Sequence, residues 1–98
     1  VLDPPTFGRA RRPRRTFSIR ADLDRLVAAA VALLAPAGEL LLCSNNRETP
    51  LRRLERAIAS AAPSRRFQVV ARPTLPADFA GDADFAKSIW VRFEQPPA

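Results

Sequence analysis

Few residues in this chain can do chemistry. Asp3, Pro4 and Pro5 follow an apolar Val1-Leu2 stub. A strand ending there presents one carboxylate and two proline carbonyls, with no N–H from either proline, so the turn offers acceptors. Arg9, Arg11, Arg12, Arg14, Arg15 and Arg20 place six positive charges within twelve residues, with no acid among them. Guanidinium groups fork onto phosphates and stack on bases, so the run suggests an anionic partner, nucleic acid first; the alternative is a solvated loop. Asn45 and Asn46 follow an apolar run, where doubly wound sheets hold ligands and where asparagine also simply makes turns. Cys43 is the single thiol. It is either a nucleophile or a small buried hydrophobe.

The inventory excludes much else. The chain has 98 residues, no His, one Cys and three Gly. A Ser-His-Asp triad, a His-ligated metal, a Cys-rich zinc site and a disulfide are therefore excluded, as is a phosphate-cradling glycine loop. Asp82 and Asp84 lack a third ligand and read as solvated, so no metal is expected. Lys plus Arg number 16 against 10 acids, for a net charge of +6, and every basic residue but Lys87 is Arg. The longest apolar stretch, residues 26–37, is shorter than a membrane span. Arg14-Arg15-Thr16-Phe17 followed by Ala35-Pro36-Ala37 imitates a twin-arginine export signal. Asp22 and Asp24 interrupt that pattern, and the apolar residues have helical period, so export is not expected.

The elements that position these residues follow from periodicity. Residues 1–3 read as a buried strand, stopped by Pro4-Pro5, and residues 6–17 as a basic loop. Leu23, Leu26, Val27, Ala30, Val31 and Leu34 recur at three- and four-residue spacing, which predicts a helix over 22–34. Residues 39–43 form an apolar run of strand length. Thr49 is positioned to cap a second helix with Pro50 at its first position, running over 51–61. Strands are predicted over 67–71 and 88–93, with Trp90 anchoring the last. Alternating strands and helices give an α/β layer with a mostly parallel sheet. The last two strands lack a crossover and should be antiparallel. The absence of Met and an opening directly on a strand suggest the later part of a larger domain.

Asp3-Pro4-Pro5-Thr6-Phe7 at a strand end resembles motif IV of class I S-adenosylmethionine-dependent methyltransferases. Leu33-Leu34-Ala35-Pro36-Ala37-Gly38 resembles the helix-to-strand turn of one branch, with Ala37 where that branch tends to have Gly. Ser44-Asn45-Asn46-Arg47 resembles the loop after its fifth strand. Leu75-Pro76-Ala77-Asp78-Phe79, followed by Ile89-Trp90-Val91, resembles its closing segment. The ordered set is similar to the large-subunit ribosomal RNA guanine-N7 methyltransferases and covers nearly the whole chain.

The resemblance implies a partial Rossmann-like sheet: the fourth to seventh strands with two helices, the last strand antiparallel. Residues 1–98 would be the carboxyl-terminal part of one methyltransferase domain. The cofactor-binding first half, with its glycine-rich turn, would lie before Val1, so this chain alone is not expected to bind S-adenosylmethionine or to be active. In the complete protein the resemblance implies S-adenosylmethionine as methyl donor, ribosomal RNA as partner and a cytoplasmic, bacterial setting. Asp3, Pro4 and Pro5 would be the catalytic turn. Phe7, Asn45 and Asn46 would hold the target base, and Arg9, Arg11, Arg12, Arg14 and Arg15 the RNA. A related branch methylates cytosine C5 through a Cys near this position, so Cys43 keeps that alternative open, as does a non-catalytic RNA-binding fragment.

Overall fold

Ile19, Leu23, Val27 and Val31 recur every four residues and are all buried, forming one stripe of the helix α1 (Ile19–Ala32). The structure, a computed structural model, describes residues 1–5, 7–11, 14–73 and 86–95. Helix α1 starts three residues before the predicted position. Asp22 explains the earlier start: its Oδ2 accepts the N–H of Ser18 at 2.9 Å while its Oδ1 takes Arg25 at 2.6 Å. A carboxylate in the first turn thus satisfies an amide that has no helical partner. The helix ends at Leu33, before Pro36 and Gly38. A Cβ on Gly38 would lie 3.0 Å from the Ala35 carbonyl oxygen, so any larger residue requires this close turn to give by a few tenths of an ångström.

Helix α2 (Leu51–Ala61) buries Leu54, Ala57 and Ile58. The two helices pack against each other and are joined by an ion pair from Arg53 to Asp24 at 2.8 Å. Each buried Leu or Ile contributes about 1.5–3 kcal/mol relative to exposure. Pro50 occupies the N-cap and no side chain caps the helix. The expected Thr49 cap is therefore not formed, because the hydroxyl of Thr49 is engaged in the preceding turn.

Strands β3 (Glu39–Ser44), β4 (Phe67–Ala71) and β5 (Lys87–Phe93) form one sheet in the order β3-β5-β4. Both pairings are antiparallel, with Leu42 opposite Ile89 and Phe67 opposite Phe93, and β4 carries an irregularity between Val69 and Ala71. A mostly parallel sheet was expected. β3 and β4 do run in the same direction, but β5 enters between them reversed, so they never pair. The parallel contact is Leu2 with Leu42. The Leu2 N–H donates to the Leu41 carbonyl at 2.8 Å, and the Cys43 N–H donates to the Leu2 carbonyl at 2.9 Å. Val1 is 94% exposed and Leu2 half-buried, so among the described residues this segment lies at the sheet edge. Among the described residues the strand order is thus Leu2, β3, β5, β4. This is a partial Rossmann-like α/β sheet whose last strand is antiparallel, as expected.

Alternation gives the sheet two faces. Leu40, Leu42, Ser44, Lys87, Ile89, Val91 and Phe93 are buried on the helix side. On the other side Trp90 is 39% exposed, and Glu39 pairs with Arg92 at 2.8 Å. The basic segment is not the loop that charge density suggested. It forms a hairpin of β1 (Phe7–Arg11) and β2 (Arg14–Ser18), with Phe7 opposite Ser18 and Arg11 opposite Arg14. Thr16 and Phe17 have strand propensity, and Phe17 packs against the core. These signals outweigh the density of charge. Arg12, Asp82, Asp84 and the segment 75–79 lie outside the described residues.

Arg65 closes the carboxyl end of α1 from a distance. Its Nη1 donates to the Val31 carbonyl at 3.2 Å, and its Nη2 donates to the Ala35 and Pro36 carbonyls at 3.0 and 3.1 Å. Its guanidinium lies 4.6 Å above the Phe93 ring. No basic residue occupies the last turn of α1 itself, so this side chain supplies the favourable charge there. Arg65→Ala is expected to cost about 1–2 kcal/mol, measured as lost amide protection in α1 and β5. Arg65→Lys should restore only part, because lysine lacks the planar fork.

Candidate active site

In a parallel pair both strands end at the same edge. With Leu2 set against Leu42, one step further brings Asp3 alongside Cys43 and Pro4 alongside Ser44. Asp3-Pro4-Pro5 and the loop after β3 therefore emerge together at the carboxyl edge of the sheet, where open α/β sheets bind ligands. Pro4 is buried and fixes the turn, while Asp3 and Pro5 are exposed. Among the described residues nothing hydrogen-bonds the Asp3 carboxylate, so its oxygens are available to accept.

The loop after β3 is built around Asn46. Its backbone N–H donates to Ser44 Oγ at 3.1 Å. Its side-chain oxygen accepts the Glu48 N–H at 3.1 Å, and its Nδ2 donates to Thr49 Oγ1 at 3.0 Å. Its carbonyl accepts the Thr49 N–H at 3.1 Å and Lys87 Nζ at 2.8 Å. Ser44, Thr49 and Lys87 are the buried polar residues of the chain's described part, and no buried side-chain N or O there lacks a partner. Asn46 is thus committed to holding the turn through both ends of its amide. Asn45 is exposed, and no hydrogen bond of its side chain occurs among the described residues. The two asparagines have separate jobs: one fixes the loop and the other is presented at its rim.

Sequence reasoning missed Lys87. It begins β5, opposite Ser44, and puts an ammonium group behind the Asn46 loop. The available signal was that it is the single lysine among fifteen arginines. A compact ammonium with three donors fits a narrow buried position where a guanidinium fork would not.

Cys43 lies on the face away from the helices, half-buried, and its sulfur accepts the Ser88 hydroxyl at 3.4 Å. It is the penultimate residue of β3, inside the strand ladder and alongside Asp3. The hairpin strands carry Phe7, Arg9 and Arg11 on β1 and Arg14 and Arg15 on β2. The hairpin leads directly into α1. Among the described residues no group of three His, Cys, Asp or Glu could hold a metal ion, and no helix is long and apolar enough to cross a membrane.

No family model matches the chain. Individual relatives do. It is 40% identical over 78 residues to the ribosomal RNA large subunit methyltransferase K/L of Methylococcus capsulatus, covering 80% of this chain and 10% of that protein. It is 30% identical over 93 residues to the K/L protein of Chromohalobacter salexigens, covering 93% of this chain and 12% of that protein. The chain thus spans about a tenth of the length of these curated relatives. The fold matches SMU.776, a protein described as a methyltransferase and solved with SAH, with a TM-score of 0.77 at 20% identity; the match covers 93% of this chain and 24% of that one.

In fold and in sequence the chain is similar to class I S-adenosylmethionine-dependent methyltransferases. Within that class, its relatives are the large-subunit ribosomal RNA methyltransferases.

Proposed function

We propose that the chain is the carboxyl-terminal, base-binding part of a longer enzyme that methylates guanine N7 in large-subunit ribosomal RNA. The observation that carries this is the convergence of Asp3-Pro4-Pro5 and Asn45 at one sheet edge in a methyltransferase fold. The names of the K/L relatives support the ribosomal RNA substrate. That substrate sets the reaction in the cytoplasm.

S-adenosylmethionine supplies an electrophilic methyl group on a sulfonium; the SAH bound in the structural neighbour supports this donor. Guanine N7 carries its own lone pair. No proton need be removed first, so a site without histidine suffices. This chain's residues contribute position, which can supply several kcal/mol of barrier reduction. The Asp3 carboxylate and the Pro4 carbonyl accept hydrogen bonds from the amino-bearing edge of the base or from the donor. Asn45 offers both an acceptor and a donor to the base, and Asn46 keeps Asn45 at the rim. Phe7 supplies a stacking surface for a base drawn out of the RNA. The arginines of the hairpin, with Arg12 between its strands in sequence, bind phosphates.

The test is methyl transfer by the full-length protein to unmodified large-subunit ribosomal RNA, followed by nuclease digestion and mass spectrometry. The expected product is 7-methylguanosine. 5-Methylcytosine would transfer the reaction to Cys43 chemistry, and no methylated nucleoside would leave an RNA-binding module.

A further inference from the structure

A second arginine cluster lies apart from the hairpin. A cleft of about 320 Å³ opens where α1 and α2 begin. Arg20 of α1 lines it, together with Arg52, Arg53 and Arg56 of α2. Glu48 is the one carboxylate in the lining, and Arg53 is already paired with Asp24. Among the described residues no acid pairs with Arg20, Arg52 or Arg56. The cleft therefore gathers three uncompensated guanidinium groups, two of them four residues apart on one helix, where like charges repel.

Its surroundings add to the positive potential. Helix α2 has no acid in its first turn, unlike α1 with Asp22. Thr49 and Pro50 line the cleft, so the positive end of α2 opens into it. Glu48 and Thr49 belong to the loop that presents Asn45, and Arg20 follows the hairpin by two residues. The lining of the cleft is thus adjacent in sequence to both the basic hairpin and the proposed base-binding loop.

We propose that this cleft holds backbone phosphates of the substrate RNA strand beside the target nucleotide. The inference rests on the proposed RNA substrate and adds a second anchor to the hairpin. An anchor there would fix the strand on the helix side of the sheet edge while the base turns toward Asp3 and Asn45. Phosphate contacts set register without reading sequence.

The test uses the full-length protein with Arg20→Ala, Arg52→Ala and Arg56→Ala combined. Arg53 is left intact because it ties the helices together. Binding of labelled large-subunit ribosomal RNA is measured against salt concentration. The plot of log affinity against log salt should become shallower by about 0.7 for each lost single-strand phosphate contact. Binding of SAH by calorimetry should be unchanged, which shows that the variant is folded. If the triple variant loses SAH binding through misfolding, Arg56→Gln alone at its exposed position should still flatten the slope by about 0.7.

An unchanged slope in a folded variant overturns the proposal. So does inorganic phosphate that fills the cleft without weakening RNA binding, which would mark a site for free anions. Methyl transfer to RNA with an unchanged slope sinks only this inference. A flattened slope without any methyl transfer supports the cleft and sinks the proposed function.

Discussion

Under the proposed function, Asp3→Asn in the full-length protein is expected to lower kcat for methylation of ribosomal RNA about a hundredfold, the scale of a misplaced reactant. Amide protection in the sheet should not change. The carboxylate is exposed and accepts no hydrogen bond among the described residues, so folding has little use for it. Asparagine keeps its size but turns half of the acceptor into a donor, which then faces the donors of the base or of the methyl donor. Asp3→Glu should recover little, because one added methylene moves the carboxylate away from a turn fixed by the buried Pro4. Single-turnover measurement separates this from weakened binding. Equal losses in kcat and kcat/KM are expected, and a rise in KM alone would reduce Asp3 to a binding contact.

The second large effect is expected at Lys87. Methionine there keeps most of the volume and removes the ammonium that donates to the Asn46 carbonyl at 2.8 Å. A buried hydrogen bond with a charged donor contributes about 1.5–3 kcal/mol, and its removal also leaves a carbonyl short of a partner. A loss of about 2 kcal/mol raises local opening about thirtyfold. Hydrogen exchange at the Asn46, Glu48 and Thr49 amides reads that change directly, since all three donate within the turn. Lys87→Arg should not rescue protection, because the longer planar fork does not fit a buried position beside Ser44. Protection equal to that of the unmutated protein would show that the loop is held by Asn46 alone.

Much of the framework could be read from side-chain period. Both helices are visible in stripes such as Leu23, Val27 and Val31, or Leu54, Ala57 and Ile58, and three strands in short apolar runs. Period says nothing about which strands become neighbours. The insertion of β5 between β3 and β4 depends on pairings such as Glu39 with Arg92, far apart in sequence. The hairpin was hidden because its arginines looked like solvated charge, and strand pairing is decided by the partner as much as by composition. In the site, residue types pointed to Asp3 and the asparagine pair. They could not divide Asn45 from Asn46, because that division is a matter of hydrogen bonds to Ser44, Thr49 and Lys87. Nor could they show that arginines on two helices meet at one cleft.

The strand order has a consequence for how this sheet is made during synthesis. β3 and β4 are hydrogen-bonded to β5 and not to each other. Until residues 87–93 leave the ribosome, two apolar strands wait with open edges on either side of an empty slot. Closure then occurs in one late event that spans more than fifty residues, from Glu39 to Arg92, a type of long-range pairing that is slow to form. Before it, the nascent chain is exposed to aggregation and to capture by chaperones. A product truncated before residue 87 would lack the central strand of this sheet, a defect that quality control can recognise and degrade.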